Sequence, residues 1–145
     1  MRDTNFAIRK AYITALTGIV YEAQAVPVFY NEAPDTNTAT NYIIIYGLSS
    51  SDQSTLNSTD NSLSVNVKII SKSLKSNSGR AGDDIAGIVL TRIKPNPAAS
   101  LNLTADSLQC VSTKLTNDFT QDYGSIGGFS FADRILTFSH AIVQF

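Results

Sequence analysis

Between residues 62 and 71 apolar and polar side chains alternate: Leu63, Val65, Val67 and Ile69 against Ser64, Asn66 and Lys68. A period of two marks a strand with one face in a core and the other outside it. Residues 132–144 carry the same signal, with Leu136, Phe138, His140 and Ile142 on one face and Ile135, Thr137, Ser139, Ala141 and Val143 on the other. The bulky face suits contact with helices, and the small-residue face suits close approach by another layer. Residues 107–117 predict a strand before it, joined through residues 118–131, whose Gly124, Gly127 and Gly128 read as a flexible connection. Residues 42–48 are β-branched or aromatic and apolar on both sides, so both faces of that strand need cover. Residues 49–60 are almost wholly polar and predict a long loop into the strand at 62–71. Pro27 cannot donate to a ladder, so residues 26–30 belong at a sheet edge or near a strand start, and residues 31–41 form a loop.

Two segments carry the helical period instead. Asp3 or Thr4 can cap a helix whose Ile8, Ala11, Tyr12, Ala15 and Leu16 recur at three-and-four spacing, with Gly18 as a stop. After a loop at 73–79, Asp83 and Asp84 sit where a helix start favours negative charge. Ile85, Ile88, Val89 and the aliphatic stem of Arg92 are expected to face the core, and Pro95 and Pro97 to end the helix. Helices and strands do not alternate strictly. The order predicts one α+β domain over residues 1–145, an antiparallel or mixed sheet of about five strands with two helices packed on one face. The second face keeps apolar residues, so self-association is expected, with Tyr42, Ile44, Tyr46, Ile135 and Val143 as its interface.

Composition sharpens this expectation. Hydrophobic residues make up 43% of the 145 and charged residues only 16%, so Ser, Thr and Asn solvate much of the surface. Such a surface lacks the self-repulsion that keeps highly charged proteins apart. A net charge of −1 argues against a dedicated nucleic-acid binder. Lys68, Lys72, Lys75 and Arg80 read as a solvated strand end and loop. No secretory leader or membrane span is visible, so a cytosolic start is expected and the sequons at Asn57 and Asn102 carry no meaning. The single Cys110 excludes an internal disulfide and reads as a small buried hydrophobe.

Candidate chemistry is sparse. His140 stands alone in a strand pattern and reads as a packed histidine. No serine sits in a G-x-S-x-G elbow, and no Lys-Ser or Lys-Thr follows the glycines at 124–128. Helix-start electrostatics accounts for Asp83 and Asp84 without a metal, and a core or subunit contact accounts for Tyr42 and Tyr46 without base stacking. No catalytic, cofactor-binding or metal-binding residue is expected. Two other readings stay open: a monomeric adaptor domain, and a small cytosolic hydrolase using His140.

Four landmarks, in order, span nearly the whole chain: Ile8-Arg9-Lys10-Ala11-Tyr12 through Leu16, Val28-Phe29-Tyr30-Asn31-Glu32-Ala33-Pro34, Asn41-Tyr42-Ile43-Ile44-Ile45-Tyr46, and residues 134–144. Their arrangement resembles the bacteriophage tail terminator or tail-completion family of neck proteins. The resemblance implies a virion protein forming a ring, commonly a hexamer, that caps the tail tube and joins it to the head connector. DNA would pass through as cargo, the partners would be adjacent neck, connector or tail-tube proteins, and no cofactor or membrane would be involved. It also implies ring contacts through the two long connections, at Ser51, Asp52, Gln53, Asp122 and Tyr123.

Overall fold

The computed structural model describes residues 3–56, 59–77 and 79–144. The Asn57 sequon lies outside them, as do the chain's first two residues, Ser78 and Phe145. Helix α1 spans Thr4–Leu16, and Asp3 caps it by accepting from the Asn5 amide at 3.0 Å. Gly18, at φ 85°, turns the chain out of it. Strands β1 (Val20–Tyr21) and β2 (Gln24–Ala25) then form a small hairpin that the sequence hides. Its turn residues Glu22 and Ala23 have φ of 50° and 63°, a left-handed pair that hairpin turns usually fill with Asn or Gly. There follow β3 (Val28–Tyr30), β4 (Tyr42–Asp52), β5 (Thr59–Leu74), α2 (Arg80–Ile93), β6 (Leu108–Ile126) and β7 (Phe129–Gln144).

Strands β3 to β7 form one mixed sheet in the order β3-β4-β5-β7-β6. Only β3 and β4 run parallel. Pro27 lies just ahead of the edge strand, where its carbonyl accepts from the Ile43 amide at 2.9 Å and its missing donor harms no ladder. Both helices pack on one face. There Ile43, Ile45, Leu63, Val65, Val67, Ile69, Leu136, Phe138 and Ile142 are buried against Ile8, Tyr12 and Leu16 of α1 and Ile85, Val89 and Ile93 of α2. Each large side chain so enclosed contributes roughly 1.5–3 kcal/mol. Near its start α2 sits close to the sheet because the facing residues are small. A Cβ on Gly82 would meet the Ser71 hydroxyl at 3.0 Å, and the Ser73 hydroxyl accepts from the Ala81 amide at 3.1 Å.

The expected connections are shorter than their polarity suggested. Residues 118–131 are not a loop: β6 continues to Ile126 and reverses at Gly127-Gly128, whose φ of 60° and 82° suit a two-residue turn. An edge strand whose far half meets solvent on both faces needs no apolar period, and the ladder to β7 holds it extended. Likewise β4 runs through Ser49, Ser50 and Ser51, paired with Ser64, Leu63 and Ser62, so the turn to β5 begins only after Asp52. The loop at 73–79 also shrinks, since Ser73 and Leu74 belong to β5. Arg92 does not lay its stem on the core; it is exposed, and its guanidinium donates to the carbonyls of Ala15 at 3.2 Å and Thr17 at 2.8 Å. The unpaired carbonyls ending α1 draw it there.

Candidate subunit interface

Alternation along β4 sends Tyr42, Ile44 and Tyr46 to the side opposite Ile43 and Ile45, away from both helices. Register then lines up one row across all five strands: Phe29, Ile44, Lys68, Ile135 and Phe119. The neighbouring rows add Tyr42 beside Ile70, and Tyr46 beside Asn66 and Thr137. Phe29 and Tyr42 meet edge to face at 6.2 Å between ring centres. Tyr42, Ile44, Tyr46 and Ile135 are thus brought together, each half-buried, on the face opposite the one where both helices of the described residues pack. Val143 shares their face but lies at the far end of β7, between Asp60 and Gln109.

The face has a polar anchor. Asp133 is only 4% exposed; it accepts from the Tyr123 hydroxyl at 2.6 Å and pairs with Lys68 at 3.3 Å. Tyr123 reaches it because the strand bulges between Asp122 and Gly124, which re-aims the ring over β7. Its hydrogen bond to Asp133 raises the Tyr123 pKa. Partial burial works against the Lys68 ammonium, yet the bond and charge of Asp133 outweigh it and the pKa rises. Tyr42, Ile44, Ile70, Lys68 and Asp133 line a concavity of about 410 Å³. It offers an apolar floor with one charged edge.

The five residues expected at ring contacts fall into two separate places. Ser51 and Asp52 end β4, and Gln53 follows them, donating from its amide to the Asp60 carbonyl at 2.8 Å. This end of the sheet lies beside the start of β6, since Thr59 and Leu108 both pair with Gln144. Asp122 and Tyr123 lie within β6 at the opposite end, near the Gly127-Gly128 turn.

His140 is wholly buried beneath α1. Its Nε2 lies 2.5 Å from the Tyr12 hydroxyl and its Nδ1 3.0 Å from that of Thr113. One assignment of hydrogens satisfies the group. Tyr12 donates to Nε2, Nδ1–H donates to Thr113, Thr113 donates to the Cys110 sulfur at 3.6 Å, and the thiol donates to the Ser112 carbonyl at 3.2 Å. Burial holds the imidazole neutral, lowering its pKa from 6.5 to about 4, and raises that of Tyr12 well above its usual value. A base sealed from solvent cannot meet a substrate in this fold, so the network is an internal brace. Among the described residues no cluster of three metal-ligating side chains occurs. Asp83 pairs instead with Arg134 at 2.8 Å, and Asp84 with Arg80 at 3.6 Å.

Phe29 and Phe119 are the surface residues that periodicity missed. β3 is too short to show alternation, and Phe119 lay in a segment read as a loop; the signal that remained was an aromatic residue standing alone among polar ones.

The features together define a class: a domain with one sheet face roofed by its own helices and the other bare. No protein-family description matches the chain, and no curated protein sequence matches it. Among solved structures, a chain of one described as the virion of a native gene transfer agent (GTA) particle has a similar fold. The likeness covers 99% of both chains, with a TM-score of 0.71 and 14% identity.

Proposed function

We propose that this chain is a structural protein of a phage-like particle, forming a ring at the neck or tail that ends the tail tube and joins it to the head connector. The full-length fold it shares with a chain of a virion particle carries this reading. The bare sheet face supplies the means of association, since half-buried Tyr42, Ile44 and Ile135 around the Lys68–Asp133 pair offer apolar area that a partner can cover. Sister copies, a hexamer by the family resemblance, cover that face through Tyr42, Ile44 and Ile135, with Tyr46 and Val143 at its margins. Neighbouring neck, connector or tail-tube proteins meet the two ends of the sheet, around Ser51, Asp52 and Gln53 and around Asp122 and Tyr123. DNA passes as cargo, without the grip a strongly basic surface would give it, because the net charge is −1. No catalysis and no cofactor is part of this role.

Light scattering coupled to gel filtration, with electron microscopy of the same fractions, tests the reading. Annular particles of a fixed copy number are expected. A wild-type protein that stays monomeric at every concentration, alone and with purified tail-tube or connector protein, would overturn it.

A further inference from the structure

The ring reading gives the bare sheet face to sister copies but does not say what else joins them, and two features at opposite ends of the molecule answer each other. The first is the far end of β6. No strand of the described chain pairs with its outer edge, and its tip carries Tyr123 at 57% and Ile126 at 75% exposure. Asp122 beside them has no ion-pair partner among the described residues, whereas Asp118 is held by Arg134 at 2.7 Å. Lys72, on β5, lies over the Phe129 ring at 4.1 Å, beside the Ile126–Phe129 pair that closes the tip.

The second feature is a groove of about 440 Å³ between α1 and the connection from α2 to β6. Ala11, Ala15, Ala99 and Ala105 line it with short side chains, which leave room for a bulky one beside Leu101 and the Lys10–Asp106 ion pair. Arg92 stands at its rim. Both guanidinium bonds there end on carbonyl oxygens, and no carboxylate among the described residues pairs with that charge. The groove lies beside the start of β6 and the apolar tip at its end, on the order of 50 Å apart along an extended strand. One molecule therefore cannot fill its own groove.

We propose that the β6–β7 tip of each copy, instead of meeting a protein of another kind, seats Ile126 in the α1 groove of the next, with Asp122 meeting the neighbour's Arg92. Only the end of the sheet at residues 51–53 is then left to the neighbouring neck or tail proteins. The occupant is a second copy because the tip, with exposed Ile126 and an acid at Asp122, complements in shape and charge the groove with Arg92 at its rim, and one chain carries both. Such a contact is heterologous, the kind that closes into a ring when its rotation permits. It rests on the ring reading but is narrower than it.

Disulfide trapping between two variants tests it. Mixing Ile126→Cys protein with Ala99→Cys protein under mild oxidation is expected to give a covalent dimer, and neither variant alone should give one; native Cys110 is buried and stays silent. Ile126→Asp should raise the concentration for half-assembly about tenfold or more, as loss of a central apolar anchor does. Asp122→Arg should weaken assembly in the same direction. Rings that form without the mixed disulfide and tolerate Ile126→Asp would overturn this contact while leaving the ring reading intact. Self-linking of Ile126→Cys would overturn it in favour of a symmetric arm-to-arm contact. Absence of any assembly would remove both.

Discussion

Gly47 sits where β4 must gain one residue on β5. The register skips between Tyr46 and Ser49, and Gly47 takes φ 65° to make the bulge. A Cβ there would stand 2.5 Å from the Asn66 amide nitrogen, and Asn66 is itself fixed by the Thr137 hydroxyl at 2.7 Å. Gly47→Ala should therefore destabilise the fold by about 1–3 kcal/mol, read as a lower urea midpoint with unchanged slope. His140 gives a pH signature. Its pKa is about 4 when folded and 6.5 when free, so below 6.5 the unfolded chain binds a proton that the folded chain refuses. Stability should be flat in this respect above 6.5 and fall as pH drops toward 4, by about 3 kcal/mol in all. Facing His140 are Tyr12, Thr113 and Cys110, and burial moves the Tyr12 hydroxyl further from that window. His140→Phe should lose stability at neutral pH and also lose this slope in thermal melts across the same range. Asp118, whose pKa Arg134 lowers by hydrogen bonding, contributes above the ordinary carboxylate range and fails only at lower pH, so the two effects separate.

Between elements, Arg134 is the tie to watch. From β7 it donates to both oxygens of Asp118 on β6, at 3.0 and 2.7 Å, and to Asp83 near the start of α2 at 2.8 Å. The forked guanidinium serves two carboxylates at once, a geometry an ammonium cannot copy. Arg134→Ala should lower stability by about 1–2 kcal/mol and speed amide exchange in the middle of β6; Arg134→Lys should restore only part of either. Exchange unchanged along residues 117–121 would show that β7 pairing alone holds the edge. The same region shows why element lengths resisted a reading by pattern. Hydrophobic alternation detects a strand only where a face is buried, and past Leu115 β6 buries neither side. The hairpin at Glu22-Ala23 escaped for a different reason, since its residues lack the usual turn preference.

At the scale of the whole molecule, core and contact surface are separate properties of one sheet. Ile44→Asp combined with Ile135→Asp should abolish assembly in light scattering while shifting the monomer's melting temperature by only a few degrees, because neither residue belongs to the buried core. Loss of folding in circular dichroism would mean that the bare face also supports the monomer. The paired faces of β5 and β7, the two helices and their stops, and the poverty of reactive groups were all legible as local periodicities and residue types. Each depends on neighbours a few positions apart, which a linear chain displays. Whether Val143 lies near Tyr42, how far β6 extends, and where Arg92 and Tyr123 send their polar ends depend on register, bulges and unpaired carbonyls contributed by distant segments. Those are settled only when strands from across the chain come to lie side by side, because backbone hydrogen bonding is blind to side-chain type and the sequence records only side chains.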